Sequence, residues 1–289
     1  MPNIGCQNMY SDLKSVIVCP PKPNMAKADT NEWHYDGSLN QEKLNSNFNE
    51  FIDIINSYGS DIITLKTSED LYDSVFPHDP SLMTDYGAII LNMGKKLRVP
   101  ETDFHKKLYE EINIPILGSI QSPGKVEGGD CIWIDKKTLV VGKGFRTNQE
   151  GIDQLHEMLN SYGIEVLGYD LPYYLGPSAC LHLMSVISIL DEKLALVYKK
   201  LFPSGLWKLL MDRGFKCLSA SEKDFKSSNG LCLNVLALSP RNLVMVDGFY
   251  DTKRLLEGAG CIVHTFNGSE LCIKAEGGPT CLTRPIYRV

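Results

Sequence analysis

The sequence predicts a mixed α/β fold in which a ββαβ unit repeats around a closed ring. Three observations lead there. Short apolar, β-branched runs alternate with helical periodicities along the chain instead of falling into separate blocks. Hairpin-like strand pairs, each followed by a helix and a further strand, recur with inner strands centred near Val140, Leu196 and Val244, roughly fifty residues apart. Five units of that size take up about 250 residues, which the 289-residue chain accommodates.

The elements follow in order. The run 15–19 (SVIVC) is a strand, and Leu44, Phe48, Phe51, Ile52 and Ile55 share one face of a 3.6-residue period, so a helix separates it from a strand at 61–65. A degraded copy of the unit spans 75–117, with a strand at 87–92 and a helix near 104–112. The next copy reads 131–134 and 138–142, a helix at 148–161 and a strand at 164–168. Another reads 182–190 and 194–198, a helix at 204–213 and a strand near 215–219. The last reads 232–238 and 242–247, a helix at 251–259 and a strand at 261–265. The N-terminal strand and helix (15–65) then share a unit with the C-terminal tail (279–289), closing the ring as one domain over 1–289. Closure removes exposed sheet edges. An open α/β sheet with several hairpins fits the same runs without closing.

Composition narrows the function classes. With 43% apolar and 22% charged residues, 24 Gly and 15 Pro, the chain is that of an ordinary globular protein. Its 29 basic and 35 acidic residues give a formal charge of −6, and no Lys/Arg block exceeds three, which argues against a nucleic-acid partner. The first residues lack the basic and apolar regions of a secretion signal, and no window has the apolar length of a membrane span. Nine cysteines at scattered positions, without CxxC pairs or Cys/His clusters, predict free thiols in a reducing, cytoplasmic compartment and no metal site.

A few positions stand out chemically. Glu127-Gly128-Gly129-Asp130 precedes a strand, where paired glycines let two carboxylates project from a tight turn into a cleft. A plain Gly-Gly turn with solvated acids fits the spacing as well. Gly142-Lys143-Gly144-Phe145-Arg146-Thr147 follows the next strand, and Thr147 with Glu150 three residues later reads as a capping box. Capping leaves Arg146 unexplained, and a planar guanidinium at a loop suits a carboxylate. Of six histidines, His182 stands at the start of a strand after the loop Leu175-Gly176-Pro177-Ser178. A structural histidine satisfies that position equally until a partner is found. Cys281 follows Glu276-Gly277-Gly278-Pro279-Thr280, a constrained and exposed loop where a thiolate meets a substrate, whereas the other eight cysteines read as small buried residues. Cys131 and Cys180, near the same mouth, take no part. Phe76-Pro77-His78-Asp79 and Arg98-Val99-Pro100-Glu101 complete the set, each an ordinary loop by itself. In the ring, all of these fall at starts of ββαβ units and so at one end of the central channel.

The ordered set Phe76-x-x-Asp79, Arg98, Glu127-Gly-Gly-Asp130, Gly142-x-Gly-x-Arg146-Thr147, Leu181-His182-Leu183 and Thr280-Cys281 resembles the guanidine-modifying superfamily. It is most similar to the dimethylarginine dimethylaminohydrolases, from about residue 12 to 289. The resemblance implies the pentein fold, a five-bladed α/β propeller around a central channel, in agreement with the repeat. It implies Cys281 as nucleophile on the guanidinium carbon, His182 as general acid and then base, and Glu127 as a carboxylate engaging the guanidinium. Asp79 resembles a second guanidinium-holding carboxylate. Arg98 and Arg146 resemble residues that bind a substrate α-carboxylate, with Asp73 near the amino end and Phe76 and Asp130 completing the substrate-binding set. The implied substrate is a free guanidino amino acid such as an Nω-methylated arginine, with no cofactor, no nucleic acid and no membrane, and the resemblance admits a homodimer. The His-x-Asp of arginine deiminases and amidinotransferases is His182-Leu183-Met184 here, which favours the dimethylarginine branch. Deiminase or amidinotransferase chemistry with the same Cys and His is the alternative, as is a non-enzymatic, ribosome-binding pentein, which would lack the nucleophile. The segment 20–38, rich in Pro and Asn, is a candidate lid.

Overall fold

Every unit uses one recipe: two antiparallel strands, a helix, and a third strand parallel to the second. A computed structural model describes residues 3–177, 179 and 181–289. β1 (Leu13–Val18) leads to the single-turn helix α1 (Thr30–Trp33), then α2 (Gln41–Tyr58) and β2 (Asp61–Thr64). β3 (Ser81–Met83), β4 (Ala88–Ile90), α3 (Glu101–Glu111) and β5 (Ile116–Ser119) follow. β6 (Cys131–Asp135), β7 (Thr138–Lys143), α4 (Gln149–Asn160) and β8 (Glu165–Asp170) form the next unit. After it come β9 (Ile187–Asp191), β10 (Leu194–Val197), α5 (Ser204–Asp212) and β11 (Lys216–Ser219). A short helix α6 (Glu222–Ser227) precedes β12 (Leu236–Ser239), β13 (Asn242–Val246), α7 (Tyr250–Gly258) and β14 (Ile262–Phe266), and β15 (Arg284–Arg288) ends the chain.

The strands make five three-stranded sheets. Four are contiguous units, whereas the fifth joins β15 antiparallel to β1 and β1 parallel to β2, so the chain end supplies the first strand of the first unit. The open-sheet alternative is thereby excluded, and the predicted closure by the C-terminal tail is present. Burial grades across every sheet: β3, β6, β9, β12 and β15 are buried along nearly their whole length, while β2, β5, β8, β11 and β14 are half exposed. The first strands therefore line the axis, with β9 packed on β12 and β15 on β3, and the helices lie outside.

Helix α2 shows how local sequence supports this plan. Its stripe Leu44, Phe48, Phe51 and Ile55 is buried, each side chain contributing about 1.5–3 kcal/mol by leaving water. Asn40 caps its start by accepting from the Lys43 amide, and Gly59 at φ 90° ends it in the left-handed region. The unit at 75–117 is complete, not degraded; only its inner strands, of three residues each, are short.

Three predicted boundaries shift for one reason. The runs 182–190 and 232–238 each begin as a 3₁₀ turn, Leu183–Ser185 and Leu231–Leu233, before β9 and β12 start. Those turns bend the chain at His182 and Asn234, and side chains elsewhere hold the bends: Asp130 accepts the Leu183 amide at 2.9 Å. Likewise Thr147 does not cap α4. Asn148 does, accepting from the Gly151 amide, because the Thr147 hydroxyl is committed to the carboxylates described below. Among the described residues no helix is long and apolar enough to cross a membrane.

Candidate active site

Each unit sends one loop, immediately before its axial strand, to the same end of the ring. These loops carry Asp79 before β3, Glu127 and Asp130 before β6, His182 before β9, Asn234 before β12 and Cys281 before β15. A cavity there is lined by Asp79, His182, Cys281, Arg98, Arg146, Phe76 and Asp73, together with Trp33 and His34 from the 20–38 segment.

Glu127 is fully buried and bonded on all sides. His182 Nε2 lies 2.7 Å from its Oε2, the Lys95 amide donates to Oε1 at 2.9 Å, and Arg146 approaches both oxygens at 3.4 Å. Burial alone would raise its pKa, but the hydrogen bond and charge of His182, with Arg146, outweigh it and hold the carboxyl well below the usual range. Thr147 organises the loop beneath: its Oγ1 accepts the Glu127 amide at 3.1 Å and donates to Asp130 Oδ2 at 2.7 Å. Asp130 itself points away from the cavity to the Leu183 amide, and burial pushes its pKa up to about 6.

Asp79 is the second buried carboxylate. The Gly129 amide donates to Oδ1 at 2.9 Å and Arg98 Nη1 to Oδ2 at 2.6 Å. Despite the cost of burial, Arg98, His182 and His78 hold its carboxyl below the ordinary range. Arg98 is itself buried: Nε and Nη2 grip Glu101, and Nη2 also reaches the Phe76 carbonyl. Its guanidinium thus braces Asp79 and the Phe76 loop from the cavity wall. Asp73 accepts from Tyr35 Oη at 2.8 Å and pairs with Lys95 Nζ at 2.6 Å, which in turn lies over the Trp33 ring.

Cys281 is half-buried, not exposed as its loop suggested. Phe76 and Asn234 press so closely on Gly277 and Gly278 that a Cβ at either would run into them, and this folds the loop inward. Asn234 Nδ2 donates to the Cys281 sulfur at 3.1 Å and Asn234 Oδ1 accepts the Thr280 amide at 2.9 Å. Burial and the neighbouring Asp79 charge push the thiol up to about 11, against His182, Gly278 and Asn234 acting downward. At neutral pH the unliganded site therefore holds a thiol. Cys131 is buried outside this cavity, and burial raises its pKa as well; Cys180 and Ser178 lie outside the described residues.

The chain matches the arginine deiminase family model over residues 63–228 and 219–288. The chain belongs to the arginine deiminase family. This is a family of enzymes acting on amidine C–N bonds. The chain is 24% identical over 272 residues to the N(G),N(G)-dimethylarginine dimethylaminohydrolase of Pseudomonas aeruginosa, covering 94% of this chain and 98% of that protein. The structure of that enzyme with citrulline superposes with a TM-score of 0.77 at 22% identity, over 94% of this chain and 98% of that one. The N-terminal domain of ArgZ, a cyanobacterial arginine dihydrolase, superposes with a TM-score of 0.80 at 21% identity, over 96% of this chain and 98% of that one. Arginine deiminases are longer: the chain spans 61% of the Listeria innocua protein, at 26% identity.

Within this family member, two features lay outside the sequence reading. Lys95, from a stretch with no motif, joins the Glu127 and Asp73 environments. Asn234 occupies in its unit the place that Asp79, Asp130, His182 and Cys281 occupy in theirs, so aligning the repeats would have found it. His78, preceding Asp79, faces away from the substrate cavity, bonded to the Thr283 carbonyl, and burial pulls its pKa down to about 3. Met184, at the position of the missing acid, is buried and lines an adjoining cavity with Gly129, His182, Asn234 and Cys281. Asp79, Glu127 and His182 also offer an O,O,N set within 4.8 Å of one another, although Arg98 and Arg146 already compensate its charge.

Proposed function

We propose that the chain is a cysteine-dependent hydrolase of a guanidino amino acid, converting an Nω-methylated arginine to citrulline and an alkylamine. The observation that carries this reading is the convergence of Cys281, His182 and Asp79 on one cavity, with buried Glu127 bonded to His182. A guanidinium is a resonance-stabilised cation and a poor electrophile, so catalysis needs carboxylates that hold it planar and a strong nucleophile at its carbon. Asp79 and Glu127 are ionised and buried, which favours a cationic guest over a neutral one. Such a guest also cancels the Asp79 field that raises the Cys281 thiol, so substrate entry itself promotes the thiolate.

As the guanidinium enters, the Cys281 proton passes to His182, and the thiolate adds to the guanidinium carbon to give a tetrahedral adduct. His182, oriented by Glu127, delivers a proton to the departing alkylamine as the C–N bond breaks, leaving a covalent S-alkylthiouronium. The same histidine then takes a proton from water, the resulting hydroxide adds to the carbon, and collapse expels the Cys281 thiolate and frees the ureido product. Arg146 holds the α-carboxylate in this reading, with Asp73 toward the amino group, while Arg98 keeps Asp79 in place from the wall. The eight described cysteines, all free thiols, support a reducing, cytoplasmic setting.

The match to the arginine deiminase family favours a second reading, release of ammonia from arginine; against it stands the absence of an acid at Met184. Incubation with dimethylarginine, monomethylarginine and arginine in parallel, reading ureido product and released amine, tests both. Dimethylamine with citrulline supports the first and ammonia from arginine the second. Silence on all three with Cys281 still alkylatable rejects both.

A further inference from the structure

Below the substrate cavity, on the ring axis, lies a second and separate cavity bounded by the axial strands β6, β9, β12 and β15. Two of its walls are the side chains of Arg284 and Arg288, which are 4% and 6% exposed. Arg284 donates to the His78 carbonyl and Arg288 to the Ser11 carbonyl. Neither forms an ion pair with any carboxylate among the described residues, and the Nε–H of each is buried with no acceptor. Two buried, uncompensated guanidinium groups are costly in a folded chain, because each loses its hydration without a counter-charge.

No carboxylate lines the cavity among the described residues. The titratable groups lining the cavity are Cys6, Cys131 and His78. Burial raises both thiols, even with Arg288 against Cys6, and lowers His78 to about 3, so all three are neutral near pH 7. The charge of Asp79 reaches Arg284, but Asp79 is bonded to Arg98 and the Gly129 amide, and that of Asp12 reaches Arg288 without an ion pair. Burial also lowers the pKa of both arginines, against the smaller opposing effects of Tyr109 and Cys6 on Arg284 and of Cys6 on Arg288.

We propose that this axial cavity is a binding site for a small monoatomic anion, chloride under ordinary conditions, held by the Nε–H groups of Arg284 and Arg288. Size selects the class. The free space is about 30 Å³, whereas one water needs ~10–15 Å³ by the same measure, so a halide fits and a sulfate or phosphate does not. The two cavities have no lining residue in common, although the loops carrying His78 and Asp79, His182 and Met184, and Thr280 and Cys281 each touch both, and the axial site does not depend on which guanidine is the substrate.

Crystals of the full chain soaked in sodium bromide and measured at the bromine absorption edge test this directly. An anomalous peak between Arg284 and Arg288 is expected. Bromide confined to surface positions, or axial density with no anomalous signal, overturns the proposal, since the second outcome means water. In solution, the melting temperature should rise with the logarithm of chloride concentration when gluconate keeps ionic strength constant. The Arg288→Met variant should lose both the peak and the chloride dependence; a variant that retains them also overturns the assignment. Should that substitution prevent folding, the wild-type bromide map and chloride titration decide alone.

Discussion

Asn234 links the two halves of the nucleophile's loop, donating its amide to the Cys281 sulfur at 3.1 Å while its carbonyl receives the Thr280 amide at 2.9 Å. A donor to sulfur favours thiolate over thiol, so it acts against the burial that raises Cys281. A hydrogen bond to a charged group contributes about 1.5–3 kcal/mol, equivalent to ~10- to 150-fold in rate. Asn234→Ala should therefore lower kcat by that range with KM little changed, and shift the pH dependence of Cys281 alkylation upward. An unchanged alkylation profile would confine Asn234 to loop packing.

The raised thiol makes the reactivity of Cys281 depend on the charge of its attacker. Iodoacetamide, a neutral probe, should modify Cys281 at a rate that climbs with pH toward about 11. A haloacetamidine, cationic and planar, should react readily at neutral pH because it carries its own compensation for Asp79. Peptide mapping separates Cys281 from the partly exposed Cys217. A neutral-probe midpoint at or below the ordinary thiol value would show that the site activates the thiolate before any guest arrives. Cys281→Ser should abolish turnover with the fold intact, and His182→Ala should permit at most slow accumulation of the covalent adduct.

Gly129 is where backbone approach governs catalytic geometry. A Cβ there would run into the His182 imidazole, whose Nε2 must stay 2.7 Å from Glu127. Gly129→Ala should displace the ring and reduce kcat at least ~100-fold, a loss expected when a catalytic group moves by about 1 Å. Circular dichroism and melting should change little by comparison, and wild-type activity in a folded variant would remove the constraint.

Thr147 marks the limit of what local patterns reveal. Its spacing to Glu150 matches a capping box, yet its hydroxyl serves Glu127 and Asp130, and Asn148 caps the helix one residue later. The repeat and the pairing of the C-terminal tail with the first strand were legible in the sequence, because apolar periodicity leaves local traces. Lys95 and the role of Thr147 left none, and Asn234 left only its place in the repeat, since each acts through a partner at least 17 residues away. Thr147→Val should cost about 1–3 kcal/mol through the unsatisfied Asp130 carboxylate, with Thr147→Ser restoring it. The sign with pH follows from Asp130, whose folded pKa of about 6 lies above its unfolded 3.8. Its contribution is favourable at low pH and is lost as pH rises through 6, and the variant deprives only the ionised form of its donor. The destabilisation should therefore be larger at about pH 8 than at about pH 5, as urea midpoints at the two pH values can show. Equal losses would contradict it.

The two arginines resembling carboxylate binders are placed differently enough to be told apart. Arg98 is spent on Glu101, Asp79 and the Phe76 carbonyl inside the wall, whereas Arg146 lines the cavity with Nη1 3.4 Å from both Glu127 oxygens. Arg146→Ala should raise KM ~10- to 100-fold for substrates with an α-carboxylate, the loss of one charge-assisted contact, and spare the decarboxylated guanidine agmatine. Arg98→Lys cannot reproduce the bidentate grip on Glu101, so Asp79 loses its brace. That variant should lower kcat/KM for both guanidines alike and reduce stability, because breaking a buried pair costs about 3–5 kcal/mol. If Arg98→Lys instead discriminates by carboxylate as Arg146→Ala does, Arg98 touches the substrate and its wall contacts must loosen when the guest binds.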